Sequence, residues 1–400
     1  MHTKTKPARR HCMIVHAYYP IGETRVQREA LALVDAGYAV DVICLRDRGE
    51  SRRAEDDNVQ IYRLPVRRHK GYGLLVQLLE YFAFLLLAAI QVSILHGRQR
   101  YGTVQIHNLP DFLVFAGFVP KIMGARLILD LHDLMPEFFA SKFNSGMQSW
   151  PVRLVTWQEQ LSCRFADHVI TVTESWRQTL ITRGVPADKV SVVMNVADPR
   201  IFKRNGHTAK ANGHRFHVIY HGTFAHRYGV DMILQAVDKA RPFLPDIRAT
   251  LLGGGEYRNE LMALVEDLNL AEYVEISPTM LPANALPPRL QQADVGIVPN
   301  RSDIFTDGLL PTKLMEYVAV GTPVIVARTP TISAYFDDEM VQFFTPNDVE
   351  DLTRCILTLG QDQARCQELS QNADKFNQQY SWENVAASYA TLVTQLNQSA

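Results

Sequence analysis

Short apolar segments rich in β-branched residues alternate with amphipathic helical segments along most of this sequence. This alternation is typical of a parallel sheet wrapped by helices, because parallel strands are joined through helical crossovers. It predicts an α/β protein, with helices at 25–36, 110–123 and 175–183 among others. The strand candidates are 12–18, 40–45, 59–64, 103–107, 126–131, 168–173, 190–194, 216–222, 249–255, 274–277, 295–299, 323–327 and 341–344.

The pattern stops at KRNGHTAKANGHRF (203–216), which is rich in glycine, asparagine and basic residues and has no apolar periodicity. A chain of 400 residues is also longer than one hydrophobic core usually organises. We therefore predict two Rossmann-like, doubly wound domains, 11–203 and 215–380, facing each other across a cleft that binds the ligand. The last segment, 381–397, is predicted to form a helix that packs back toward the first domain.

Charge and cysteine usage exclude some classes of protein. Lys plus Arg total 41 against 42 for Asp plus Glu, so the chain has no overall positive field for nucleic acid. The five cysteines show no paired or metal-like spacing and are expected to be reduced thiols. The basic N-terminus runs into a strand-like segment without a signal-peptide core. These features predict a cytoplasmic protein that does not bind nucleic acid.

The longest apolar segment, LLVQLLEYFAFLLLAAIQVSIL (74–95), is interrupted by Gln77, Glu80 and Gln91. A helix that spans a bilayer needs roughly 20 apolar residues, so we expect this helix either to be buried or to lie in a membrane surface. We favour burial, because a helix that is apolar on most sides is usually in a core. The basic run RRHK (67–70) before it favours the alternative, in which the helix lies on the inner face of the cytoplasmic membrane.

The segment PTKLMEY (311–317) combines a helix start with two charges. Pro311 suits the first position of a helix, whose free N–H groups attract phosphate, and Leu314 lies in that first turn. Lys313 adds a positive charge for a diphosphate, and Glu316 can accept two hydrogen bonds from the hydroxyls of a ribose. The alternative is an ordinary surface ion pair between residues three apart.

Several segments, in order, resemble the retaining glycosyltransferases of family 4, which have the GT-B fold. They are YYPIGETRVQREALALVDAGYAVDVICLR (18–46), LDLHDLMPE (129–137), VTESWRQTL (172–180), VSVVMNVADPRIF (190–202), YHGTFAHRYGVDMILQAV (220–237) and PTKLMEYVAVGTPVI (311–325). The resemblance covers about 12–395. It implies a nucleotide-diphosphate sugar as donor, bound mainly by the C-terminal domain.

Carried over residue by residue, the resemblance gives a set of donor contacts: Gly22, Gly222, Thr223, Arg227, Gly254, Asp307, Lys313, Leu314 and Glu316. Three positions depart from the family pattern. The first of its two glutamates falls on Gly308, with Asp307 beside it. Its loop arginine and lysine fall on Thr223 and Tyr228, and Arg227 lies one position early. We expect Arg227 and Lys313 to share the diphosphate, and Glu256 to border the base.

Three further sets of residues follow strands of the first domain. The resemblance implies that His132 contacts the transferred sugar, with Asp133 and Glu137 beside it; a histidine at a strand end and two helix-capping acids are the alternative. Arg25, at the start of the first helix, is a candidate contact for a phosphorylated acceptor or simply part of a solvated helix face. IHNLPD (106–111) is best explained as a turn that caps the next helix.

The predicted function is therefore a retaining glycosyltransferase that moves a sugar from a nucleotide-diphosphate sugar to a hydroxyl group, with His132, Arg227 and Lys313 as catalytic residues. An apolar, basic-flanked helix suits a lipid-linked glycan as acceptor, as in exopolysaccharide or O-antigen synthesis. We expect no metal and no cofactor, because no carboxylate cluster suited to Mg²⁺ is evident. A nucleotide-sugar epimerase on the same fold and a nucleotide-sugar-binding protein without catalysis remain as alternatives.

Overall fold

A computed structural model describes residues 9–20, 23–68, 73–204 and 215–398. The chain divides into two compact units, Met1–Asn195 with Glu383–Ala400, and Val196–Trp382. The division comes before the predicted segment 203–216, because the first two residues of that segment bond within the second unit. Arg204 Nη2 donates to Ser370 Oγ (2.9 Å), and Gln291 Nε2 donates to the carbonyl of Lys203 (2.7 Å). Residues 205–214 lie outside the described part of the chain.

Each unit is built on one sheet. The strands are β1 (Arg9–Tyr18), β2 (Tyr38–Leu45), β3 (Arg53–Asp56), β4 (Val59–Leu64), β5 (Thr103–His107), β6 (Arg126–Leu131), β7 (His168–Thr171), β8 (Val190–Val192), β9 (His217–Thr223), β10 (Arg248–Gly254), β11 (Val274–Ile276), β12 (Val295–Val298), β13 (Val324–Ala327) and β14 (Gln342–Phe344). The first sheet has the order β3-β4-β2-β1-β5-β6-β7-β8 and the second β11-β10-β9-β12-β13-β14. Among the described strands, every pairing is parallel except β3 with β4.

Helices connect the strands. They are α1 (Thr24–Asp35), α2 (Leu74–Gln99), α3 (Phe118–Ile122), α4 (Met135–Lys142), α5 (Trp150–Phe165), α6 (Glu174–Thr182), α7 (Val230–Ala240), α8 (Arg258–Asp267), α9 (Leu286–Gln292), α10 (Thr312–Val320), α11 (Pro330–Tyr335), α12 (Val349–Gln361), α13 (Gln363–Asn372), α14 (Asp374–Gln379) and α15 (Trp382–Gln398). Short 3₁₀ helices lie at Asp111–Gly117, Ala187–Lys189, His226–Tyr228, Ala283–Ala285 and Thr306–Gly308. The predicted class, α/β with two Rossmann-like parallel sheets, is confirmed.

The core of the first unit includes the C-terminal helix. Tyr389 and Val393 of α15 are fully buried in the same cluster as Met13 and Val42 of the sheet. Tyr389 Oη also donates to Gln105 Oε1 of β5 at 2.5 Å, across 284 positions of sequence. Through these contacts α15 packs on the first unit.

The core of the second unit forms between its sheet and its amphipathic helices. Val218 and Tyr220 of β9 are completely buried together with Met232 and Leu234 of α7. Helix α12 lies against α7 and is capped by Asp348, whose carboxylate accepts from the N–H of Asp351 (2.9 Å). This cap satisfies an N–H group that the helix itself leaves without a partner.

Helix α2 contradicts the favoured expectation that 74–95 is buried. Only 28% of its most apolar 18-residue window is buried, and by length and composition alone the helix could cross a membrane. One row of its residues packs on the sheet, and the opposite row, also apolar, is exposed. The sequence failed here because both rows are apolar, so their pattern does not distinguish the covered row from the uncovered one.

Candidate functional site

Lys313 lies on two tyrosine rings of the second unit. Its Nζ is 4.2 Å from the ring centroid of Tyr220 and 4.9 Å from that of Tyr228, and it donates a hydrogen bond to Tyr220 Oη (2.8 Å). Burial lowers the pKa of Lys313 to about 7, although Glu316 acts in the opposite direction. A lysine with that pKa is poised to gain a proton when an anion binds beside it.

Helix α10 starts one residue later than predicted. Pro311 is the N-cap, with extended backbone (φ −65°, ψ 129°), and Thr312 is the first helical residue. The N–H of Leu314 donates to the carbonyl of Pro311 (3.0 Å), and the Leu314 side chain is completely buried. The expected donor contact of Leu314 is therefore not supported, because neither its side chain nor its N–H is available to a ligand.

Glu316 lies near a buried histidine of the central strand. Its Oε2 is 3.3 Å from Nε2 of His221, whose ring meets Tyr317 edge to face at 5.0 Å. Burial lowers the pKa of His221 to about 3, and the positive charge of Lys313 contributes to this shift. The ring is therefore neutral at physiological pH. The surface pair of Lys313 with Glu316 is not the arrangement found, since Lys313 bonds to Tyr220.

The loop after β9 brings a second cation to the same ring. The guanidinium of Arg227 lies 5.9 Å from the centroid of Tyr228, the ring that Lys313 also contacts. Gly222 lies beside the lysine with φ +126°, and a Cβ there would come within 3.2 Å of Lys313 Nζ. Thr223, the next residue, is exposed. Arg227 and Lys313 thus share the ring of Tyr228, and Gly222 lies beside the lysine.

The glycine-rich turn after β10 has a structural explanation. A Cβ on Gly253 would lie 2.0 Å from the carbonyl oxygen of Gly222, and one on Gly255 2.3 Å from that of Phe224. Only glycine allows these backbones to approach so closely. Gly254 is different, because the nearest atom to a Cβ there is 3.7 Å away, and Glu256 is exposed.

Asp307 belongs to the 3₁₀ helix Thr306–Gly308. Its Oδ2 accepts from Ser302 Oγ (3.0 Å), and burial raises its pKa. The same turn is tied by Asp303 Oδ1, which accepts from the N–H groups of Phe305 (2.8 Å) and Thr306 (2.7 Å). These contacts order the loop that precedes α10; the role of Asp307 toward a sugar stays a prediction.

In the first unit His132 follows β6 and joins a buried polar network. Its Nε2 lies 3.1 Å from His107 Nδ1 and 3.5 Å from Asp130 Oδ2. Asp130 is held in turn by Arg25, through Nε at 3.2 Å and Nη2 at 3.0 Å, and by Gln105 Nε2 at 3.1 Å. The Asp130 carboxylate is therefore fixed on one side by a guanidinium and faces two imidazoles on the other.

The electrostatics of this network favour a charged His132. Burial alone would raise the pKa of Asp130, but Arg25 and then His132 outweigh it and hold that pKa well below its usual range. Burial alone would likewise lower the pKa of His132, but Asp130 outweighs it and raises the value. His107, Asp130 and His132 also present donor atoms close enough to hold a metal ion, but the Arg25 cation bonded to Asp130 opposes a second cation there.

Three other predicted contacts of the first unit are explained by internal bonds. Arg25 is 5% exposed and bonds to Asp130, Glu29 and the carbonyl of Val193, so the expected acceptor contact is not supported. This network was not evident from local sequence, because Asp130 lies 105 positions away.

Glu137 is buried and accepts from Arg183, which also bonds to Glu159 (2.8 Å). Its expected contact with the sugar or acceptor is not supported. Asp133 is partly exposed, and its carbonyl accepts from Asn108 Nδ2 (2.7 Å). Asn108 thus ties the two loops together, whereas the predicted cap is not found, because the 3₁₀ helix Asp111–Gly117 begins without a side-chain cap. Gly22 lies outside the described residues.

Sequence reasoning missed the residues that support the predicted ones. Tyr220 and Tyr228 hold Lys313, yet Tyr220 stands in an apolar strand and resembles a core residue. Burial raises the pKa of Tyr220 far above its usual value, so its phenol remains neutral and accepts from Lys313 while donating to the carbonyl of Thr223 (2.8 Å). Asp130 was hidden for the same reason, because it stands in the apolar strand β6.

Comparison with known proteins assigns a family to each part of the chain. Residues 22–195 match the model of the glycosyl transferase 4-like domain, and residues 204–376 match that of the glycosyl transferases group 1. The putative colanic acid biosynthesis glycosyltransferase WcaL of Salmonella typhimurium is 27% identical over 40% of this chain and 39% of its own length. The related WcaI of Escherichia coli is 24% identical over 52% of each chain. The matches thus span about half the length of these relatives, or less.

Solved structures agree with the fold over nearly the whole chain. Sucrose-phosphate synthase from Thermosynechococcus elongatus superposes with a TM-score of 0.79 at 19% identity, covering 98% of this chain and 100% of the other. HepE of Anabaena, solved in complex with UDP-glucose, superposes with a TM-score of 0.71 at 16% identity, covering 96% and 99%. Such neighbours confirm the predicted GT-B fold.

Proposed function

Because the chain belongs to the group 1 glycosyltransferases, we propose that it transfers a sugar, with retained anomeric configuration, from a nucleotide-diphosphate sugar to a hydroxyl group. The observation that carries the proposal is Lys313, a lysine held on two tyrosine rings at the start of α10 with its pKa lowered to about 7. A buried cation of this kind gains most when a diphosphate binds beside it.

The diphosphate is bound by Lys313 and Arg227, which share the ring of Tyr228. Glu316 follows Lys313 by one helical turn and accepts hydrogen bonds from the ribose hydroxyls. When the bond between sugar and phosphate breaks, negative charge grows on the leaving diphosphate, and the two cations stabilise it. The reaction proposed in this way requires no metal and no cofactor.

His132 is proposed to contact the transferred sugar. Its pKa is raised by Asp130, so it can donate a hydrogen bond as an imidazolium. Arg25, Gln105 and His107 act by fixing Asp130 in place. Asp307 is retained as a further candidate contact of the sugar.

The acceptor is proposed to be a lipid-linked glycan, in the synthesis of an exopolysaccharide or O-antigen. Two observations support it: WcaI and WcaL are named for colanic acid biosynthesis, and α2 exposes an apolar row along its length. The protein would then work at the inner face of the cytoplasmic membrane, with α2 as a peripheral membrane contact.

Donor binding is tested first. Differential scanning fluorimetry with UDP, GDP, ADP and their sugars should identify one nucleotide that stabilises the protein by about 2.7 kcal/mol at a concentration of one hundred times Kd. UDP-glucose is the first sugar to try, because the neighbour HepE was solved with it. Glu316→Gln should weaken binding of that nucleotide roughly ten- to a hundredfold, since it loses charge-assisted hydrogen bonds.

Lys313→Met is the second variant, with Lys375→Met as its matched control, because the Lys375 side chain is 53% exposed and pairs with Glu339. Only the first should weaken nucleotide binding. Incubation of the donor with and without acceptor then separates the activities. If the sugar is epimerised in the absence of acceptor, the protein is an epimerase and not a transferase. If the nucleotide binds but neither product forms, the protein is a nucleotide-sugar-binding protein without catalysis.

A further inference from the structure

The exposed apolar surface of the first unit extends well beyond α2. On α2 the exposed row is Leu75, Leu79, Phe82, Leu86, Ile90 and Ile94, spaced mostly by four residues. Such spacing keeps these side chains on one side of a helix. Because the row from 75 to 94 spans 19 residues, it runs for roughly 28 Å at the rise of an α-helix.

Two neighbouring helices continue the surface. Phe118, Ile122 and Met123, in and just after α3, are exposed, and α5 exposes Trp150, Leu154, Trp157 and Leu161. Aromatic rings join these helices through the 3₁₀ helix Asp111–Gly117, which leads directly into α3. Phe82 of α2 stacks on Phe112 of the 3₁₀ helix (5.2 Å between centroids), and Phe118 of α3 stacks on Phe165 of α5 (6.3 Å). The exposed residues therefore belong to one face, here called the α2–α3–α5 face.

The exposed charges of this region have one sign. Between residues 73 and 165, all of which the structure describes, every charged residue in the exposed class is basic; these are Arg98, Arg100, Lys142, Arg153 and Arg164. The acids of the same range are buried, except Asp133, which is partly exposed. This segregation is local, because the whole chain has a net charge of −1.

Helix α5 shows how the two properties combine. Its exposed positions include Trp150, Arg153, Leu154, Trp157 and Leu161, a spacing of three and four residues. Arg153 therefore lies among the apolar side chains of a single helix face. Tryptophan and basic residues together on an apolar face are typical of surfaces that sit at the headgroup level of a bilayer.

The helix α2 is fixed to the first unit along its other row. Phe84, Ala88 and Val92 are completely buried, and Glu80 pairs with buried His16 (3.0 Å). Crossing a bilayer would strip these residues from the core and carry Glu80 into hydrocarbon, which is costly. The helix therefore lies along a membrane and does not cross it.

From these observations we propose that the α2–α3–α5 face docks flat on a bilayer that contains anionic lipid. The basic residues attract the anionic headgroups, and the leucines, phenylalanines and tryptophans enter the boundary of the acyl chains. A second copy of the chain is a poorer occupant, because two such faces would bring like charges together. The proposal deepens, and rests on, the membrane contact proposed for α2 above.

The test is flotation of the full chain with vesicles of phosphatidylcholine, with and without phosphatidylglycerol. Binding is expected with the anionic vesicles, several-fold weaker with the neutral ones, and lower at high salt because salt screens the charges. Trp157→Ser and Ile122→Ser, which lie outside α2, should each reduce binding several-fold. Phe243→Ser is the matched control, because Phe243 is 69% exposed in the second unit, and it should have no effect.

Tryptophan fluorescence gives a second readout. Lipids brominated near the headgroup should quench the wild-type emission, and the quenching should fall in Trp157→Phe. Each variant is also tested for thermal stabilisation by UDP-glucose, so that loss of donor binding is distinguished from loss of membrane docking. Binding of anionic vesicles that is unchanged in both serine variants would overturn the proposal. So would a dimer in solution that these variants dissociate, because the face would then be an interface between copies.

Discussion

The affinity of this protein for a nucleotide-diphosphate sugar should depend on pH through Lys313. Burial lowers the pKa of this lysine to about 7 in the free protein. A diphosphate binds the charged form, so the free protein must supply a protonated lysine. At pH 6 about ten elevenths of the molecules carry that proton, and at pH 8 about one eleventh do.

The expected change follows from these fractions. The dissociation constant of UDP-glucose should rise about tenfold between pH 6 and pH 8, which corresponds to about 1.4 kcal/mol. UDP-glucose is the better probe than UDP, because its two phosphodiester groups stay ionised across this range. His221, which also lies in the site, does not interfere because its pKa is lowered to about 3.

Isothermal titration calorimetry in buffers with different ionisation enthalpies measures both affinity and proton uptake. At pH 8 the wild-type protein should take up about one proton per ligand bound. Lys313→Arg is the control, because a guanidinium stays charged throughout and should remove the pH dependence. Equal affinities at pH 6 and pH 8, or a slope that is undiminished in Lys313→Arg, would refute the reasoning.

Three more predictions concern stability and the histidine network. Lys313→Met should raise the melting temperature of the ligand-free protein. The lysine binds its proton more tightly in the unfolded chain (pKa 10.5) than in the folded protein (about 7), so a protonated Lys313 destabilises the fold. The stability gained by removing it is therefore complete below pH 7 and decreases as the pH rises toward 10.5. Gly253→Ala should cost about 2 kcal/mol or more in urea unfolding, because its Cβ would lie 2.0 Å from a backbone oxygen, whereas Gly254→Ala, with 3.7 Å of room, should cost little. In NMR titrations the ring of His132 should lose its proton above pH 6.5, and Asp130→Asn should move that midpoint down; an unmoved midpoint would contradict the assigned network.

The sequence predicted those parts of the fold that depend on local pattern. Apolar, β-branched runs predicted every strand of the two sheets except β3 to within a few residues. The strand β3 was missed because Arg53–Asp56 has the sequence RAED and pairs antiparallel at the edge of the sheet, where its side chains are exposed or half-buried. A strand with no buried face leaves no apolar alternation to detect.

In the candidate site, too, local sequence predicted some residues, whereas others depend on partners that are distant in sequence. Lys313 was predicted from its place near a helix start and Arg227 through the family resemblance, and both contact Tyr228. Arg25 was misjudged as an acceptor contact, because the partner that buries it, Asp130, is distant in sequence. The exposure of α2 was misjudged because hydrophobicity alone cannot tell a covered row from one that faces outward.

The most direct test of the account is a crystal structure of the protein with the nucleotide-diphosphate sugar that stabilises it best. We predict that a diphosphate oxygen lies about 2.7 to 3.2 Å from Lys313 Nζ and that the ribose hydroxyls lie at the same range from the Glu316 carboxylate. A nucleotide bound elsewhere, with Lys313 still hydrogen-bonded only to Tyr220, would contradict it.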